Sequence, residues 1–183
     1  MTVAALYIDR GGPYPALPDV DCWDVERDAK RYEGPHAVVA HPPCGPWGRL
    51  KFLCKHQDPT CALRAVEQVR AFGGVLEHPS DSTLWKTCGL PKPGDPDDAW
   101  GGFSIEIRQV HWGHCCEKPT WLYLVRVTDD AARPAPFPEA VATHRVTNGS
   151  RGKTHLPRCT AFEARATPPF LASWLVSLAR SVQ

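Results

Sequence analysis

The chain has 183 residues and carries 21 Lys and Arg against 20 Asp and Glu. A field this close to neutral excludes a general pull toward nucleic acid or anionic membrane, so any phosphate contact must be local. A chain of this length buries enough apolar surface to fold as one domain without disulfides or metal, and one domain over 1–183 is expected. No apolar run is long enough for a membrane span, and the opening MTVAALYIDRGG lacks the basic stretch and cleavage site of a secretory signal. A cytoplasmic protein, with no membrane partner, is therefore expected. Its eight cysteines then read as thiols, because the cytosol keeps them reduced.

In chain order, Val3–Ile8 is a short apolar run closed by Asp9-Arg-Gly-Gly-Pro13, the pattern of a buried first strand ending in a loop. A Pro-rich passage follows. Pro35–Ala40 is a second strand, stopped by His41-Pro42-Pro43-Cys44, since two prolines cannot continue a central strand. Ala62, Val66, Val69 and Phe72 recur at helical spacing, which predicts a helix over Thr60–Phe72, with Thr60 as its cap and Gly73-Gly74 as its stop. Val75–Glu77 reads as a third strand broken by His78-Pro79, and 89–102 as a Gly/Pro/Asp loop. Ile105–Val110 and Trp121–Val127 read as two more strands, with Trp112–Pro119 turning between them. The Pro/Ala-rich segment from Asp129 to Pro138 is an irregular connection, and His144–Arg158 is a basic stretch. Thr167-Pro-Pro169 opens a closing helix whose apolar face is Phe170, Leu171, Trp174, Leu175 and Leu178.

Strands alternating with helices predict an α/β domain with a mostly parallel sheet and helices on both faces. In such sheets ligands bind beyond the carboxyl ends of the strands. Cys44 and Glu77 both fall at such ends, so they are expected to share one crevice. A thiol held behind a Pro-Pro turn suits a nucleophile that must approach a ring atom at a fixed angle. A carboxyl group in a crevice is expected to have a raised pKa and to act as a proton donor. Together they suit addition of sulfur at carbon 6 of a pyrimidine while ring nitrogen 3 is protonated, which makes carbon 5 nucleophilic. Taken singly, either residue reads equally well as structural, Cys44 as a packed thiol and Glu77 as a capping or ion-paired carboxylate.

Four segments resemble DNA cytosine-5 methyltransferases in the right order. His41-Pro-Pro-Cys-Gly-Pro-Trp-Gly48 resembles their Pro-Cys motif, and Val75-Leu-Glu-His-Pro79 their Glu-Asn-Val motif. Gln109–His114 followed by Lys118–Leu122 resembles a later region of phage-type members, and Thr167–Ala172 their final Pro-x-x-x-Ala helix. The resemblance implies a three-layer Rossmann-like methyltransferase-type domain in which Cys44 adds to the base and Glu77 protonates it. It also implies S-adenosylmethionine as cofactor, bordered by Asp9, Gly11, Gly12 and Pro43. The substrate it implies is DNA or a pyrimidine nucleotide, in a host cytoplasm if the chain is phage-encoded. Four features depart from the family: His78 stands where it has asparagine after the glutamate, Glu117 stands near where it has an arginine, and two larger parts differ. Ile8-Asp9-Arg10-Gly11-Gly12-Pro13 is followed by Pro15 and Pro18 where a glycine loop and helix belong, so the cofactor half is shortened, and no stretch is long enough for a target-recognition domain.

Trp47, Arg49, Arg145, Arg151 and Lys153 are the candidate nucleic-acid contacts, Trp47 by stacking and the cations by holding phosphate. The basic stretch reads equally well as a solvated loop. Cys54-Lys-His56 with Cys61, and His111-x-x-His114-Cys115-Cys116, contain zinc-ligand types but lack paired Cys-x-x-Cys spacing. Cys115 and Cys116 read as loop thiols, and no metal is expected. Two alternatives stay open: transfer of a different one-carbon group, and a non-catalytic nucleic-acid-binding or interaction protein that keeps the fold.

Overall fold

A computed structural model of the protein describes residues 1–48, 51–54, 58–128, 130–132, 140–146 and 155–183. Its six strands are β1 (Val3–Leu6), β2 (Val20–Trp23), β3 (Val38–Ala40), β4 (Gly74–Pro79), β5 (Gly102–Arg108) and β6 (Pro119–Val125). The helices are α1 (Thr60–Phe72), α2 (Leu84–Thr87), α3 (Ala161–Arg165) and α4 (Pro169–Arg180). The strands form one sheet in the order β2-β1-β3-β4-β6-β5. β2, β1, β3 and β4 are parallel, and β6 runs against both β4 and β5. The protein is thus α/β with a mostly parallel sheet. Among the described residues no helix is long and apolar enough to cross a membrane.

Alternation along the strands divides the core in two. Val3, Ala5, Val39, Val75, Leu122 and Leu124 face one side and pack with Leu171, Leu175 and Leu178 of α4. Ala4, Leu6, Val38, Ala40, Leu76 and Tyr123 face the other and pack with Ala62, Val66 and Val69 of α1. Central strands covered on both faces read as continuous apolar runs, which is why Val3–Leu6 and Val38–Ala40 stand out in the sequence.

α1 has the expected bounds but a different cap. The Oδ1 atom of Asp58 accepts from the Thr60 backbone N–H (2.8 Å) and hydroxyl (2.7 Å), so Asp58, and not Thr60, satisfies the first turn. β4 does not stop at His78-Pro79. It continues through Pro79 because antiparallel pairing with β6 extends over its whole length, whereas β3 has already ended opposite Leu76. Pro79 therefore interrupts no ladder with β3. β2 and the short helices α2 and α3 were not expected from the sequence. Gly74 is required by its surroundings: its φ is +116°, and a Cβ there would lie 2.0 Å from the Val38 carbonyl oxygen.

Strand order reverses at β1, which has β2 on one side and β3 on the other. The chain leaving β1 and the chain leaving β3 diverge there, opening a crevice at the carboxyl rim of the sheet.

Candidate active site

The crevice at this switch point has a volume of about 620 Å³, within the range of small-molecule sites. Ile8, Asp9, Gly11 and Gly12 enter it from the end of β1, His41, Pro43 and Cys44 from the end of β3, and Glu77 from β4. Phe162 and Arg165 of α3 and Thr167 before α4 form a further wall. Cys44 and Glu77 thus share one crevice, and so do the expected cofactor residues Asp9, Gly11, Gly12 and Pro43.

Because side chains alternate, Glu77 projects to the same face as Val75, toward α4, and His78 to the face of α1. The Glu77 carboxylate is held from both sides. Its Oε2 atom lies 3.1 Å from His41 Nδ1, and its Oε1 accepts from Gln109 Nε2 at 2.8 Å. Gln109 also reaches Thr120 Oγ1, at 3.0 Å. On the far side of the imidazole, His41 Nε2 is 2.5 Å from the Tyr14 hydroxyl.

These contacts reverse one expectation. Burial alone would raise the Glu77 pKa, but the hydrogen bond and charge of His41, with Lys118 and His78 behind it, hold it at about 2. Glu77 is an anion at neutral pH and not a ready-made acid. The pKa of Tyr14 is driven well above its ordinary value by burial and then by the charge of Glu77, so its hydroxyl keeps its proton. An ionised Glu77 can only accept, so His41 Nδ1 donates to it, and the Tyr14 hydroxyl meets the ring at Nε2.

Cys44 is an exposed residue of the crevice wall. The protein packed around the sulfur, and then the charge of Glu77, push its pKa up, while Lys118 opposes them. The unliganded thiol is therefore protonated at neutral pH.

Trp47 does not line the crevice. It packs against the α1-side core, with its carbonyl bonded to the backbone N–H and hydroxyl of Thr83 (2.9 and 3.1 Å). Arg145 lies outside the crevice as well, its Nε donating to the Leu156 carbonyl at 2.8 Å. Arg49, Arg151 and Lys153 lie outside the described residues. The sequence reading missed Tyr14, His41 and Lys118. His41 stands directly before the Pro-Pro turn and was legible as a polar residue closing a strand; Tyr14 and Lys118 carried no local signal.

At the end of β1 the chain makes a tight turn before reaching β2. The Gly11–Gly12 turn is present, tied by the Gly11 N–H to Asp9 Oδ1 at 2.9 Å. β2 ends directly before Asp24, whose carboxylate is fully engaged within its own turn. It pairs with Arg10 and accepts from the N–H groups of Glu26 and Arg27. The connection from β1 to β2 holds one 3₁₀ turn, Tyr14–Ala16, in place of a helix. Comparisons of this chain with protein-family models, with curated proteins and with solved structures find no match.

Proposed function

We propose that the protein is a pyrimidine-modifying enzyme of the cytosine-5 methyltransferase type, built on a Rossmann-like methyltransferase-type domain and acting on cytosine in DNA or in a nucleotide. The observation that carries this reading is the convergence of the Cys44 thiol and the Glu77 carboxylate in one crevice at the switch point of the sheet.

Once the adduct has formed, the ionised carboxylate accepts two hydrogen bonds from one edge of the ring, one from the exocyclic amine and one from the N3–H that the addition creates. The corresponding edge of uracil carries a carbonyl oxygen and would face the carboxylate as a second acceptor, so the site selects cytosine. In the addition step Cys44 sulfur bonds to carbon 6 and its proton leaves to Glu77. The C5=C6 pair moves to C4=C5, the N3=C4 pair moves to N3, and N3 takes the proton from Glu77. Carbon 5 is then the nucleophile. Because Glu77 is ionised at the outset, it carries the proton from sulfur to ring, and His41 and Gln109 fix its orientation without losing their own partners.

S-adenosylmethionine is the donor implied by the resemblance, and Asp9, Gly11, Gly12 and Pro43 border the space for it. The β1–β2 connection is shortened to one 3₁₀ turn and the Asp24 carboxylate is engaged by Arg10 and two amides, so no step above is assigned to that donor. Transfer of a different one-carbon group from the same crevice is the alternative consistent with this departure.

The test is incubation with DNA containing 5-fluorocytosine together with S-adenosylmethionine. A covalent complex stable to denaturation, and absent with Cys44→Ala, is expected. No complex with that donor or with other one-carbon donors would favour a non-catalytic binding protein. Calorimetry with S-adenosylmethionine separately decides the donor.

A further inference from the structure

Beside the reacting side chains, the crevice has a wall that the chemistry above does not use, lined by Lys118, Phe162 and Arg165. Phe162 is 66% exposed, and Arg165, three residues further along α3, shares its side of the helix. The Arg165 Nε atom donates to the Ala161 carbonyl at 3.1 Å, which fixes the guanidinium and leaves its terminal amino groups without a partner among the described residues. The Lys118 ammonium reaches the carbonyl of Ala166, the next residue, at 3.4 Å, so both cations border the same part of the crevice. Lys118 holds a φ of +39°, a left-handed backbone that a residue with a side chain adopts only where its surroundings impose it. Among the described residues no carboxylate lies within ion-pairing distance of Lys118 or Arg165, whereas Arg10, Arg27, Arg64, Arg70 and Arg108 are all paired.

The positive charge continues past the rim. From His144 to Arg165 the chain carries five Lys and Arg against one carboxylate, that of Glu163. This carboxylate is engaged: its Oε2 atom accepts from the Thr160 N–H (2.7 Å) and hydroxyl (2.8 Å) in a capping box that fixes the start of α3. Arg158 is exposed two residues before that cap, and a backbone bridge joins it to Arg145. A mononucleotide presents its phosphate at one point, but cations inside the crevice, at its rim and beyond it match a row of phosphates. An exposed ring beside such cations stacks an unpaired base, whose face a duplex would cover.

We propose that Phe162, Arg165 and Lys118, continued by Arg158 and Arg145, bind an unpaired DNA strand, with the cations on its phosphates and Phe162 stacked on a base beside the one delivered to Cys44. The proposal rests on the pyrimidine reading for the base at Cys44, and narrows that reading from any cytosine nucleotide to a strand.

The full chain is titrated into a short fluorescein-labelled single-stranded oligonucleotide containing cytosine, and anisotropy is read over a series of salt concentrations. Binding that weakens as salt rises is expected. Phe162→Ala should weaken it by at least about fivefold, the lower end for one lost base stack. Arg165→Gln should reduce the slope of log affinity against log salt by about 0.7, the share of one single-strand phosphate contact, which a merely structural role would not move. Arg31→Gln, in a turn packed on the α1 side of the sheet, should leave both quantities unchanged. The same sequence as a duplex should bind more weakly, and deoxycytidine monophosphate should compete poorly. The wild-type salt slope and its preference for the strand stand even if a variant fails to fold. No strand binding by the wild type, an affinity independent of salt, wild-type binding by both Phe162→Ala and Arg165→Gln, or equal affinity for the duplex or the mononucleotide would each overturn the proposal. Because binding is read without covalent trapping, a failed 5-fluorocytosine trap withdraws the chemistry and leaves this surface standing, and failed strand binding leaves the trap to decide on Cys44.

Discussion

His41 and Glu77 leave neighbouring parallel strands and meet at the rim of the sheet, with His41 Nδ1 3.1 Å from Glu77 Oε2. The contact sets the charge of Glu77 before any substrate arrives, so the proton needed at the ring must come through the site. Substituting Glu77→Gln keeps the shape and the Gln109 contact but cannot carry a proton. Covalent complex formation with 5-fluorocytosine DNA should fall by at least about 100-fold, the lower bound for a lost general acid–base group. The circular dichroism spectrum should stay unchanged. Retention of the wild-type rate would remove Glu77 from the chemistry.

His41→Ala frees Glu77 from its hydrogen bond and its principal charge partner, so the carboxyl pKa should rise from about 2 toward its ordinary value. Measured by NMR titration of a ¹³C-labelled carboxyl, an unmoved pKa would refute the assigned contact. His41 acts here as a positioning residue, and Tyr14→Phe should produce a smaller shift in the same direction.

Stability should fall on acidification in two stages. His78 is buried with neither ring nitrogen hydrogen-bonded, and burial lowers its pKa to about 4. Between about pH 6.5 and 4 the unfolded chain binds a proton at this residue that the folded one refuses, so stability drops as pH falls. Glu77, depressed to about 2, contributes stability that is full above its ordinary carboxyl range and is lost as pH falls through about 4.5 toward 2. Each stage is worth about 3 kcal/mol at most. Urea midpoints across pH should show that His78→Leu flattens the first stage and leaves the second.

Gly74→Ala should prevent folding. The added carbon would meet the Val38 carbonyl oxygen at 2.0 Å within a backbone ladder that cannot yield, at a cost above about 4 kcal/mol. Recovery of soluble protein with a wild-type thermal midpoint would contradict the register of β3 and β4.

Asp98 ties the 98–102 turn to the sheet. It accepts from Tyr123 Oη at 2.7 Å, from Arg70 Nη2 at 3.3 Å, and from the N–H groups of Trp100 and Gly102 at 2.9 Å each. Asp98→Ala strands a largely buried guanidinium and should cost about 3–5 kcal/mol by denaturant unfolding. A loss under about 1 kcal/mol would show that Arg70 re-pairs with solvent.

The parts legible in the sequence are those fixed by apolar runs and rigid breaks. α1, β1, β3 and the start of α4 are read from such runs, and Cys44 and Glu77 from their position just past them. β2 was hidden because Val20-Asp-Cys-Trp23 is a short, half-exposed edge strand without an apolar run. The charge of Glu77 was misjudged because burial of the carboxyl is visible from context, whereas the His41 beside it becomes a partner only once β3 and β4 pair.

The reversal of β6 has a further effect. A strand running with its neighbours would begin at the opposite rim, but β6 begins at Pro119 beside the end of β4 and next to the end of β5. The whole excursion from Gln109 to Lys118 is therefore displayed on the ligand side, where it delivers Gln109 and Lys118 to Glu77. Its length and composition could change without disturbing a single rung of the sheet, which makes this hairpin the natural place for the molecule to acquire a new preference in what it accepts.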